Sequence, residues 1–257
     1  MVSAGAHLEL RAMRSRASSS APRATPDRRD GSQGLAAAVV GALGGRHSTQ
    51  LGIDIDRGEE EIERWALAAT LFGARISAPI AARTFAVLEG AGVHSIAQAG
   101  LLDVGRMIEL LDRGGYARYD LRTAEHLRSG SQMLSDRHRG RVGSILELPA
   151  GRLESELDEL PGWGPVTVSL FLRELRGLRP QIDPPLDPRA ASACEHLQLL
   201  GAGATPARLR RLAAIACIDA RDLESALLRL WLAHHRQMSQ CPGGVDCTAI
   251  ATHARAR

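Results

Sequence analysis

Lysine and asparagine are both absent from the 257 residues, so all 32 basic side chains are arginine. Codon usage in a GC-rich genome accounts for such a bias. The chemical consequence holds whatever its origin: no lysine amine is present to form a Schiff base. Aromatic residues are scarce too, at 3% of the chain, and alternating strand patterns are hard to find. The core must then be assembled from Leu, Ala, Val and Ile, which points to an all-α fold. The four cysteines show no sign of a secreted disulfide framework. No apolar run approaches the roughly 18–20 residues of a membrane span. The arginines near the N-terminus are not followed by an uninterrupted apolar stretch, so no secretory signal is predicted. A formal net charge of +3 barely favours an anionic partner. These absences together predict a cytoplasmic monomer without a membrane contact.

What is present reads as a basic tail, a helical domain and a second tail. Residues 1–55 mix Arg, Ser, Ala, Pro and Gly without periodicity and are predicted to be disordered. "LAAAVVGALGG" could form a short helix, but its glycines argue against a stable one. Order is predicted over 56–240. Acidic residues from Asp56 suit a helix start, and Ile62, Trp65, Ala66, Ala69 and Phe72 follow at helical spacing. Ser77 and Pro79 suit the start of the next helix. Further helices are predicted near 103–113, 119–136, 141–148, 151–160, 188–199, 205–216 and 219–237. "LRPQIDPPLDPRA" is a connection that cannot be helical throughout. Residues 241–257 read as an irregular tail.

The informative stretch is "LPGWGPVTVSLFLRELRG", Leu160 to Gly177. A helix ends at Pro161, Gly162-Trp163-Gly164 turns sharply, and Pro165 suits the first position of a new helix. Val168, Leu170, Phe171, Leu172 and Leu175 give that helix a broad apolar face. Free amides and the helix dipole at such a start suit an anion, and the missing side chains let a phosphate approach. An ordinary turn between two helices fits these residues equally well.

"LPGWGPVTVSLFL" resembles the helix-hairpin-helix motif of the endonuclease III superfamily of DNA glycosylases. Leu160, Pro161, Gly162, Trp163, Gly164 and Thr167 match the pattern, with Val168 where alanine is common. The family places an aspartate at the head of a later helix. Asp187 occupies that place, and Leu197 and Leu199 follow it by ten and twelve residues, the family spacing. The interval from Leu160 is about three residues long, and Asp183 is the competing candidate. "LFGARIS" sits where the family has a glutamine near the flipped base, which puts Arg75 at that position. "GGYARYDLRTAEHL" is similar to another family segment, with Tyr116, Thr123 and Ala124 in register. The resemblance spans about residues 57–235.

The resemblance implies a two-lobed all-α fold, with lobe one about 75–180 and lobe two built from 56–74 plus 187–240. It implies double-stranded DNA as partner, gripped at Gly162, Trp163, Gly164, Val166 and Thr167, with Arg75 beside a flipped base. Asp187 would be the catalytic carboxylate, stabilising oxocarbenium character as an N-glycosidic bond breaks. Its other reading is a helix N-cap, and the two are compatible. Bifunctional members carry a lysine where this chain has Val166, so the expected enzyme is a monofunctional glycosylase of base-excision repair. The alternative is a DNA-binding or interaction module that kept the fold and lost catalysis. Many members hold an iron–sulfur cluster on four C-terminal cysteines. Cys241 and Cys247 keep only the last of those spacings, with Met238 and Trp231 at the other two positions. No metal and no cofactor is therefore expected. A zinc site from His234 or His235 with Cys241 and Cys247 is the lesser reading; His94, His126, His138 and His196 show no metal spacing. The remaining expectations are minor. Trp163 is read as a plug for the turn, Tyr116 and Tyr119 as packing or pocket-lining, and Arg208–Arg211 as a solvated face or a phosphate contact.

Overall fold

The computed structural model describes residues 28–200 and 203–250. Among them no strand occurs, as the scarcity of β-formers predicts. In chain order the helices are α1 (Arg28–Leu43), α2 (His47–Gln50), α3 (Glu59–Phe72), α4 (Ala78–Gly90), α5 (Ile96–Gly100) and α6 (Val104–Gly114). They continue with α7 (Asp120–Arg137), α8 (Ala150–Asp158), α9 (Pro165–Glu174), α10 (Pro188–His196), α11 (Pro206–Ile215) and α12 (Ala220–His234). The predicted segment at 141–148 is a 3₁₀ run, Val142–Glu147, rather than an α-helix.

Two hydrophobic cores result. The first runs from Ile53 to Ile182 and centres on α3. Three glutamates open α3, where the helix dipole favours them. Beyond them its apolar residues are buried nearly all round: Trp65, Ala66, Leu67, Ala68, Ala69 and Leu71 are each sealed from solvent. A helix apolar on all sides belongs in the middle of a core rather than on its rim. This revises the predicted partition, in which 56–74 joined the second lobe. The Trp65 indole donates to the carbonyl of Phe171 at 3.2 Å, tying α3 to α9.

The second core is built by α1, α10, α11 and α12, with Cys247 and Ile250 closing it. Residues 28–55, predicted to be disordered, instead carry α1 and α2. Leu35, Ala36 and Val39 form a buried stripe that packs against α12. The helix glycines cost stability, but burial of an apolar stripe outweighs propensity. Residues 1–27 of the predicted tail lie outside the described residues. In the C-terminal segment read as irregular, the described residues to Ile250 carry a 3₁₀ turn at Gly244–Asp246, and 251–257 lie outside.

Ionic contacts join the lobes. Glu174, the last residue of α9, accepts the amides of His47 and Ser48 at 2.8 and 2.9 Å, capping α2. Arg176 is fully buried and forks onto Glu224 of α12 at 2.9–3.2 Å. It also reaches Asp183 at 2.7 Å and the carbonyl of Pro184 at 2.5 Å, which folds the proline-rich connection back onto the interface. Arg46 and Arg221 extend the seam to Asp56, Asp219 and Asp222.

Candidate functional site

The hairpin forms where the sequence places it. Leu160 is buried, the Trp163 amide bonds to the carbonyl of Leu160 at 2.9 Å, and Gly162 turns at φ +84°. A Cβ at Gly162 would also lie 2.4 Å from Nδ1 of His126, so glycine is required twice over. Gly73, at the end of α3, makes room for Thr167: a Cβ there would lie 1.9 Å from the threonine hydroxyl. That close approach seats the start of α9 against the end of α3.

Trp163 is the plug that the sequence suggests. It is buried, donates from Nε1 to the Thr70 hydroxyl at 2.9 Å, and meets Phe171 edge-on at 5.0 Å. Its ring is not available to a sugar. Tyr116 is also core, with its hydroxyl on the carbonyl of Leu71 at 2.7 Å. Tyr119 instead lines a cleft.

That cleft, of about 670 Å³, lies over the start of α9. Gly162 through Thr167 form one wall, with Arg75, Tyr119, Arg122 and His126 opposite. Among the described residues no acidic side chain lines it. Gly164 directly precedes α9 and has no side chain to cap it, so the amides of Val166 and Thr167 lack acceptors within the helix. Val166 is 65% exposed at this edge. Arg75 and Arg122 have no ion-pair partner among the described residues, unlike most arginines of the seam. Burial and the nearby Arg122 push the imidazole of His126 below its ordinary pKa.

Asp187 heads α10 as the N-cap reading expects, and its side chain caps that helix by accepting the Arg189 amide at 2.8 Å. The Arg189 guanidinium also forks onto it, at 3.0 Å to Oδ1 and 2.8 Å to Oδ2. Burial opposes ionisation, yet Arg189 holds the carboxyl below the usual carboxylate range. Asp187 opens onto a second cleft of about 400 Å³, lined by Pro165, Val168, Ser169 and Leu172 of α9, by Pro184–Pro188, and by Glu154, Ser155 and Asp158 of α8, so this cleft, unlike the first, carries further acidic groups. The two clefts share Pro165, so the hairpin and the carboxylate lie on adjoining flanks of one helix. Asp183, the competing candidate, is occupied by Arg176 and Arg210.

Other predicted groups find structural partners. Arg208 bonds to the carbonyls of Leu200 and Gly203, and Arg210 to Asp183, so this face is not a free basic patch. His138 pairs with Glu156 at 2.9 Å. Cys194 is buried in α10, and Cys217 is exposed just after α11. Sequence reasoning missed Arg122 and His126, whose only signal is one helical turn of separation on α7. It also missed Arg189, the immediate partner of Asp187. No family model and no curated protein matches the chain.

Proposed function

We propose that this protein binds the phosphate backbone of duplex DNA at the start of α9 and acts as a monofunctional DNA glycosylase. One observation carries the reading. The uncapped helix start, the two glycines, and Arg75 and Arg122 without an ion-pair partner share a cleft that no acidic residue lines among the described residues. Orphan amides, a positive helix end and two guanidinium groups make a site for a polyanion. The match of Leu160–Thr167 to the helix-hairpin-helix pattern narrows the polyanion to DNA.

Asp187 supplies the chemistry in this reading. Ionised beside the same helix, it stabilises positive charge developing on a deoxyribose whose base is leaving. Arg189 keeps it charged and fixes its orientation. With Val166 at the lysine position and no lysine elsewhere, water rather than an amine completes the reaction.

The second reading, a DNA-binding module without catalysis, is favoured by the Arg189 fork, which occupies both Asp187 oxygens. A base-release screen over lesion-containing duplexes separates the two. The enzyme reading expects release of at least one base, reduced about 10²–10³-fold in Asp187→Asn with DNA affinity kept. Salt-dependent duplex binding without release from any substrate favours the module. A chain without salt-dependent affinity for duplex DNA would overturn both. Borohydride in the presence of abasic-site DNA is expected to trap no covalent adduct.

A further inference from the structure

The opposite end of α10 from Asp187 carries a different cluster. His196 ends α10, His234 ends α12, and Cys241 and Cys247 lie on the loop that follows. One ligand atom from each of the four falls within 4.8 Å of all the others. Nε2 of His196 and Nε2 of His234 are both buried without a hydrogen-bond partner. Unpaired polar atoms cost stability when buried, and these belong to two imidazoles that each bring a ring nitrogen within 4.8 Å of both sulfurs, which calls for a shared partner.

The loop is shaped to make this approach. Gly243 and Gly244 take φ of +71° and +55°. A Cβ at Gly243 would lie 2.3 Å from the carbonyl oxygen of His196, so only glycine lets the loop wrap the end of α10. The Thr248 amide points at the Cys241 sulfur at 3.5 Å. Cys247 is fully buried and belongs to the second core.

We infer that His196, His234, Cys241 and Cys247 form a structural zinc site that staples the C-terminal loop to α10 and α12. Two imidazoles and two thiolates are a complete tetrahedral set for zinc, leaving no open position for catalysis. Zinc bonds of about 2.3 Å to sulfur and about 2.0–2.1 Å to nitrogen would separate the ligand atoms by somewhat under 4 Å. The observed cluster needs only a small contraction. The geometry also disfavours a two-iron cluster, in which the imidazoles and thiolates sit on different metal atoms. Such a division would spread the four ligands beyond one another's reach.

This set is neither the four-cysteine arrangement nor the alternative with His235. Met238 and Trp231 pack against the second core, and His235 stacks on Trp231 at 4.3 Å. The inference does not depend on the DNA reading.

The test is metal analysis of the untagged full chain by mass spectrometry, with cobalt substitution followed by absorption spectroscopy. One zinc per chain is expected, together with the intense visible bands of tetrahedral cobalt and thiolate-to-cobalt charge transfer. Cys241→Ser and His196→Ala should each weaken zinc binding by at least the roughly 10–100-fold that losing a supporting partner costs. His235→Ala and Cys217→Ser should bind as the parent does. A chelator should lower the melting temperature of the parent and leave that of His196→Ala unmoved. A folded parent chain that carries no stoichiometric zinc and takes up no cobalt would overturn the inference. So would an iron–sulfur spectrum, or undiminished zinc binding in both ligand variants.

Discussion

The two ends of α9 are built on opposite principles. At its start the backbone is bare: no side chain caps it, glycines precede it, and Arg75 and Arg122 opposite have no ion-pair partner among the described residues. At its end most charges are matched; the exception among the described residues is Arg173, buried with no hydrogen-bond partner for its Nε. Glu174 caps α2, and Arg176 is enclosed by Glu224, Asp183 and the Pro184 carbonyl. A buried charge is costly unless it is satisfied internally, whereas groups left unsatisfied at a solvent-open cleft cost little and remain available to a ligand. One helix thus separates the joint between the lobes from the surface read as the DNA contact.

Substitutions at the two ends should separate stability from binding. The largest effect is expected at the closed end. Glu224→Ala leaves Arg176 buried with only part of its ion pairing and should cost about 3–5 kcal/mol in denaturant unfolding. Gly162→Ala comes next and touches both properties. The left-handed turn alone costs about 1–2 kcal/mol, and the new Cβ displaces the His126 ring, so DNA affinity should fall with stability. Unchanged DNA binding in this variant would argue against a hairpin contact.

The interface should also give the protein an acid sensitivity. His47 packs on Phe72 and faces the Arg229 guanidinium at 3.0 Å. Burial, Arg229 and Arg173 push its pKa down to about 3. The folded state therefore favours neutral His47. That stability is full above the ordinary histidine pKa of about 6.5 and drains as pH falls toward 3, by at most about 1.4 kcal/mol per pH unit. Thermal melts from pH 7 to pH 4 should show a shallower decline for His47→Gln than for the parent. The smallest stability effect belongs to the open end. Arg75→Ala and Arg122→Ala should shift stability by less than about 0.5 kcal/mol. Each should reduce the slope of log affinity against log salt by about one. Equal slopes for parent and both variants would remove these arginines from the contact.

Much of the helical fold was legible because its signals are local. Proline and glycine mark the hairpin, and Pro188 and Asp187 announce α10. The misassigned elements were those whose fate depends on a distant surface. α1 has a weak glycine-interrupted pattern and is held by packing on α12; α3 carries an amphipathic signature yet is buried nearly all round.

The sequence by itself determined the all-helical class, the turn at Gly162–Gly164, the carboxylate at the head of α10 and the lack of a lysine nucleophile. Each follows from residue identity or from spacing within one or two helical turns. Only the tertiary structure decided that Arg122 and His126 face the hairpin and that Arg189 holds Asp187. It alone brought His196 to His234 and the two tail cysteines. Those residues come from separate helices and a loop, and no periodicity along the chain encodes the packing of α10 against α12 that makes them neighbours.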